Sequence, residues 1–214
     1  LRGLGAICNV FAVESFMDEC AAAAGADPVE YRLRHMQDPR ARAVIELAAQ
    51  KAGWKAGAQS DGTSGRGFAF SQYKNGYGYF AAVVDLSLEP DPHVTRVVAA
   101  VDVGQAINPD GVINQAEGGI VQAISWVLKE QVRHDRERVL SRDWETYPIL
   151  DMSEAPETID CVLINMPNIA PSGAGEPSIR PVAAAIANAI FDATGVRIRR
   201  YPLAPAHVKK ALTA

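Results

Sequence analysis

The stretch from Ile179 to Ala193, IRPVAAAIANAIFDA, most constrains what this chain can fold into. At helical spacing it places Ile179, Val182, Ala183, Ile186, Ala189, Ile190 and Ala193 on one side, and alanines fill much of the remainder. A helix that is apolar around most of its circumference has to be buried, so this one is predicted to pack on more than one face. The other elements must therefore be arranged to cover it.

The first fifty residues read as helices joined by tight turns. Asn9 is a plausible N-cap for a helix with Val13, Phe16, Met17, Cys20, Ala21 and Ala24 on its apolar face and Glu14, Asp18 and Glu19 opposite; Gly25 ends it. Asp27 and Pro28 start a second helix, as cap and first helical residue. A third covers 41–52 and stops at Gly53. KAGAQSDGTSGRG then reads as a loop. Beyond it the period changes: GFAFSQY, GYFAAVVDLSLEP and VTRVVAAVDVG have the β-branched, aromatic and alanine content of strands, with a hairpin around EPDPH. NPDGVINQAEGGIVQAISWVLKEQ returns to helix, with Ile113, Ala116, Ile120, Ile124, Val127 and Leu128 on one stripe. Short strands are expected near 130–135, 138–142 and 159–165, then a last strand in VRIRRYPL and a last helix in APAHVKKAL. The fold class is α+β: a helical N-terminal segment, 1–54, a loop, 55–66, and a mixed sheet packed with long helices, 67–214.

Composition excludes several classes of function. There are 21 basic and 25 acidic residues, without a block of like charge, so neither a nucleic acid nor an acidic membrane is an expected partner. No apolar run is long enough to be a transmembrane segment. Cys8, Cys20 and Cys161 are far apart and contain no CxxC pair, which fits free thiols and gives no metal site. The histidines, at 35, 93, 134 and 207, are scattered, and GxSxG and HExxH are absent, so hydrolase triads and zinc sites have no support. The chain opens LRGLGAICNV, without Met, and reads as a piece of a longer polypeptide.

Three stretches have the residue types that chemistry needs. In NQAEGGIVQA, Gly118 and Gly119 interrupt a helix, each at a cost of about 1 kcal/mol relative to alanine, and so point to close approach of a backbone or a ligand. Gln115, Glu117 and Gln122 stand nearby as polar partners, although helix packing through the glycines would explain the same pattern. LRGLGA offers Arg2 and a flexible backbone at Gly3 and Gly5 to an anion. In SGAGEPSIRP, Glu176 follows small residues, Gly175 among them, that leave room for a ligand. Position alone makes Glu176 a complement to the positive end of the next helix, worth about 0.3–1 kcal/mol.

Taken in order, LRGLGA, FAVESFMDECAAAAGADPVEYRLRHM, VVAAVDVGQAINPDGVINQAEGGIVQA, SRDWETYPIL and GAGEPSIRPVAAAIANAIFDATGVRIR resemble the molybdenum hydroxylases throughout. This is the xanthine dehydrogenase and aldehyde oxidase family, and the likeness is strongest to the C-terminal part of the large subunit of isoquinoline 1-oxidoreductase-like members. The resemblance implies a molybdopterin cofactor with molybdenum, as the cytosine dinucleotide in bacterial relatives. It implies Glu176 as the general base that takes a proton from the metal-bound hydroxyl, in oxidation of an aldehyde or hydroxylation of an N-heterocycle with oxygen from water. Arg2, Gly3, Gly5, Gln115, Gly118, Gly119 and Gly175 would lie against the cofactor, and no side chain here would ligate the metal. Leu4 stands where the family often has an aromatic residue, so stacking on substrate is not expected there. No MGQG-type pterin loop and no iron–sulfur cysteines occur. The remainder of the large subunit and a small subunit with [2Fe–2S] clusters are therefore the implied partners, with a small molecule as substrate. Cytoplasm and periplasm both remain open. The rival reading is a non-catalytic assembly or scaffold module in which Glu176 only caps a helix. A subunit lending one wall to a neighbour's site lies between the two.

Overall fold

The computed structural model describes residues 1–58, 60–74 and 76–213. Three helices come first, α1 (Ala6–Ala23), α2 (Pro28–His35) and α3 (Pro39–Ala52), followed by strands β1 (Ser64–Tyr73), β2 (Gly78–Ser87) and β3 (His93–Asp102). Then come α4 (Pro109–Leu128), β4 (Thr158–Ile164), α5 (Ile179–Thr194) and α6 (Pro205–Leu212). The sheet order is β1-β2-β3-β4; the first two pairings are antiparallel and β3–β4 is parallel, with α4 in the crossover. This is the mixed α+β arrangement expected from the change of period.

Both faces of the sheet are covered, and this accounts for apolar runs in the strands in place of clean alternation. Phe80, Ala82, Val84 and Leu86 of β2 face a core built with α1, α4, α5 and α6. Tyr79, Ala81 and Val83 face a second core with α2 and α3. Helix α5 is the centre of the first core, with Ile179, Ile186 and Ile190 fully buried. It lies directly on β1: a Cβ at Gly67 would fall 2.0 Å from the Ala185 carbonyl oxygen and 2.4 Å from the Ala189 nitrogen. Only glycine permits that separation. The Asn188 amide nitrogen adds a 2.9 Å hydrogen bond to the Phe68 carbonyl.

Helix α2 has the expected start, with the Asp27 carboxylate accepting from the N–H groups of Val29 and Glu30 at 2.9 and 3.0 Å. Helix α3 ends at Gly53 in the left-handed conformation, φ 65°. Helix α1 departs from expectation. It starts at Ala6, not after Asn9, and its buried face carries Ile7, Phe11, Glu14, Ser15, Asp18 and Ala21. Val13 and Phe16 are exposed instead. The cause is charge pairing. Arg32 Nε donates to Glu14 at 2.9 Å, Arg197 Nη2 donates to Asp18 at 2.7 Å, and the Phe70 N–H donates to Glu14 at 2.7 Å.

Three strand expectations also fail. Residues 196–203 form no strand: Arg197 and Arg199, which gave the stretch its alternation, reach Asp18 and Glu19 of α1. Around 130–142 only an isolated bridge joins His134 to Val139, because this exposed segment has no apolar face to lay on the sheet.

Candidate functional site

Most of the candidate residues meet where α5 begins. The opening segment, α4 and the turn before α5 converge there, and Arg2 links them. Its Nη2 donates to the Gln115 carbonyl at 2.8 Å and to Gln115 Oε1 at 3.3 Å, and its Nη1 to Gln122 Oε1 at 3.4 Å. Its Nε donates to the Gly175 carbonyl, the residue just before Glu176. Burial pulls the Arg2 guanidinium below its ordinary range and the negative charge of Glu176 opposes that, so the two groups are in electrostatic reach.

At Gly119 a Cβ would lie 2.0 Å from Ser178 Oγ and 3.0 Å from Arg2 Nη2. The close approach anticipated for the glycine pair is thus made at Gly119, to this chain's own Arg2 and Ser178. Gly3, at φ 81°, sits against Ile179, and Gly175 lies beside Gln115 Oε1. Gly5 and Gly118 are exposed and stand outside this set of contacts, with open space where a Cβ would project. Leu4 is exposed and left-handed, φ 51°, a backbone conformation that costs a non-glycine residue energy and is enriched at functional sites.

Glu176 lies two residues before Ser178, the N-cap of α5, and the first turn of that helix holds no acidic side chain. It is therefore outside the turn where a carboxylate complements the helix dipole. Its side chain is 28% exposed, yet Oε2 is buried and has no hydrogen-bond partner among the described residues. A buried carboxylate oxygen left in that state costs free energy unless something completes it.

The sequence did not single out the cation that faces that oxygen. Arg180 Nη2 lies 3.6 Å from Glu176 Oε2. The Arg180 guanidinium stacks 4.2 Å from the centroid of the Tyr73 ring, and its Nη1 donates to the Gln72 carbonyl at 3.4 Å. Burial lowers its pKa from the ordinary value, with Glu176 and then Tyr73 opposing. Ser172 Oγ and Arg180 Nε are also buried without partners among the described residues. Arg180 had a sequence signal, a charge inside an apolar helix four residues after Glu176. Ser178 and Tyr73 had none. Among the described residues no group of three or more His, Cys, Asp or Glu side chains is placed to hold a metal.

The family described as the molybdopterin cofactor-binding domain matches residues 3–156. The chain belongs to this family, within the molybdenum hydroxylases. Relatives include a nicotinate dehydrogenase subunit of Pseudomonas putida, 43% identical over 99% of this chain and 19% of that protein. The beta subunit of isoquinoline 1-oxidoreductase from Brevundimonas diminuta is 34% identical over 96% of this chain and 26% of that one. The aldehyde oxidoreductase of Desulfovibrio gigas superposes with TM-score 0.80, covering 100% of this chain and 42% of its own, at 17% identity; the likeness is one of fold. The chain thus spans roughly a fifth to a quarter of the length of the first two relatives.

Proposed function

We propose that this chain is the C-terminal part of a molybdopterin-dependent oxidoreductase that hydroxylates N-heterocycles or oxidises aldehydes, with Glu176 as general base. The observation that carries the proposal is the Glu176 carboxylate. It is held outside the helix it precedes, has one oxygen buried without a hydrogen bond among the described residues, and lies next to the segments that Arg2 draws together. The residues present suit the cofactor. The Gln115 side-chain nitrogen has no hydrogen bond among the described residues, and Gly118 leaves open space on α4.

Gln115, the Arg2 guanidinium and the backbone at Gly3, Gly5, Gly118, Gly119 and Gly175 would hold the cofactor, taken to be the cytosine dinucleotide form. Bound there, molybdopterin with its molybdenum supplies the two-electron redox chemistry. The protein's part is proton handling and placement. Glu176 takes up the proton released as water-derived oxygen is delivered to an electron-poor carbon of the substrate. Arg2 fixes the carbonyl of Gly175 and so sets where the following carboxylate stands. The [2Fe–2S] clusters of a small partner subunit would take the electrons, and the rest of the large subunit would close the site. Two relatives named for nicotinate and isoquinoline favour an N-heterocycle over an aldehyde as substrate.

The test is co-expression with the partner chains, followed by molybdenum and pterin analysis and turnover in 18O-labelled water. Stoichiometric molybdenum and labelled product are expected. Protein that assembles with its partners but holds neither metal nor pterin would instead be a scaffold module.

A further inference from the structure

Arg180 has no part in the function proposed so far, and nothing in an ordinary helix requires it. An arginine 7% exposed in the first turn of α5 gives up its hydration and has to be compensated. Its compensation comes from three directions: the Tyr73 ring of β1 at 4.2 Å, the Gln72 carbonyl at 3.4 Å and Glu176 at 3.6 Å. The first two hold the guanidinium from the strand side, over the face of the ring. The third determines how Glu176 is turned. Oε2 is the oxygen that faces Arg180, and it is shut away from solvent. Oε1 is not among the buried atoms left without a partner, and no hydrogen bond holds it among the described residues, so it is the oxygen left free to act.

We propose that Arg180 is a positioning residue for the reaction. It holds Glu176 by Oε2 so that Oε1 is the atom that receives the proton. Tyr73, by carrying the guanidinium on its ring, is the support of this device. The proposal rests on Glu176 being the base. It adds which oxygen acts and what aims it.

The experiment uses the assembled, cofactor-loaded enzyme with an N-heterocyclic substrate, and compares Arg180→Ala, Arg180→Lys, Tyr73→Leu and Glu176→Gln. Misplacing a reacting group by about 1 Å costs on the order of 100-fold. Arg180→Ala is accordingly expected to lower kcat roughly 10- to 100-fold, with KM and molybdenum content unchanged. Added guanidinium should restore part of that rate by entering the space left behind. Arg180→Lys keeps the charge without the stack and should fall between wild type and Ala, and Tyr73→Leu should lose a smaller factor in kcat alone. A raised KM with unchanged kcat would make Arg180 a substrate contact and overturn the proposal. Loss of activity in step with molybdenum would make it merely structural, and so would a loss that guanidinium does not relieve. If Glu176→Gln is inactive while Arg180→Ala turns over like wild type, only the positioning role falls. If Glu176→Gln itself turns over normally, the base assignment falls, and this proposal with it.

Discussion

Arg2 makes side-chain hydrogen bonds to acceptors more than a hundred positions away in sequence, at Gln115, Gln122 and Gly175. Hydrogen bonds from a charged donor contribute about 1.5–3 kcal/mol, and losing them leaves carbonyls unsatisfied. Arg2→Met is expected to lower the denaturation midpoint and to reduce the molybdenum retained by the assembled enzyme; full retention would remove Arg2 from the cofactor's surroundings. Gly119→Ala puts a methyl group where Ser178 Oγ and Arg2 now sit, so it should perturb the same site with the sheet still folded, read as lost metal with native circular dichroism. Cys161 gives a third test. Burial, with Glu117 adding to it, pushes its thiol up to about 12. It should stay protonated at neutral pH, and alkylation by iodoacetamide, which needs the thiolate, should lag far behind that of exposed Cys8. Because the folded value lies above the unfolded one, the stability this thiol contributes is present below the unfolded value and is lost as pH rises toward about 12. Equal labelling of both cysteines at neutral pH would contradict this. At this scale the sequence was legible where glycines broke a pattern, as at Gly119. It was silent on Ser178 and Tyr73, whose significance comes only from what folding sets against them.

The elements show why α1 was oriented wrongly from its pattern. Counting apolar residues assumes that carboxylates face water, but Glu14 and Asp18 are buried because Arg32 and Arg197 arrive from α2 and from residues 196–203. Their partners lie 18 and 179 positions away, beyond any local window. Arg197, together with Arg199, also gave 196–203 its alternating, strand-like appearance. Removing one member of such a set leaves a buried charge uncompensated, so Arg32→Ala should cost about 3–5 kcal/mol, read by chemical denaturation. A cost below about 1 kcal/mol would mean that the network is solvated. Helices α2 and α3 were legible because caps and glycine stops are local signals.

For the molecule as a whole, burial of both sheet faces creates the site. Helix α5 is pressed onto β1 at Gly67, its start is fixed near the end of that strand, and the opening segment is bound across it through Arg2 and Gly3. The apolar circumference of α5 announced this central position in the sequence, and the change of period announced the sheet. Which segments would meet at the helix start was not readable from local patterns, because those contacts join residues 1–5, 115–122 and 172–180. The Glu176 carboxylate stands at that junction, where it is proposed to act as a base. The most direct measurement is turnover of Glu176→Gln in the assembled enzyme with molybdenum content held equal to wild type. Loss of one essential proton acceptor should lower kcat by roughly 100-fold or more with the cofactor retained. Turnover equal to wild type would show that Glu176 is not the base.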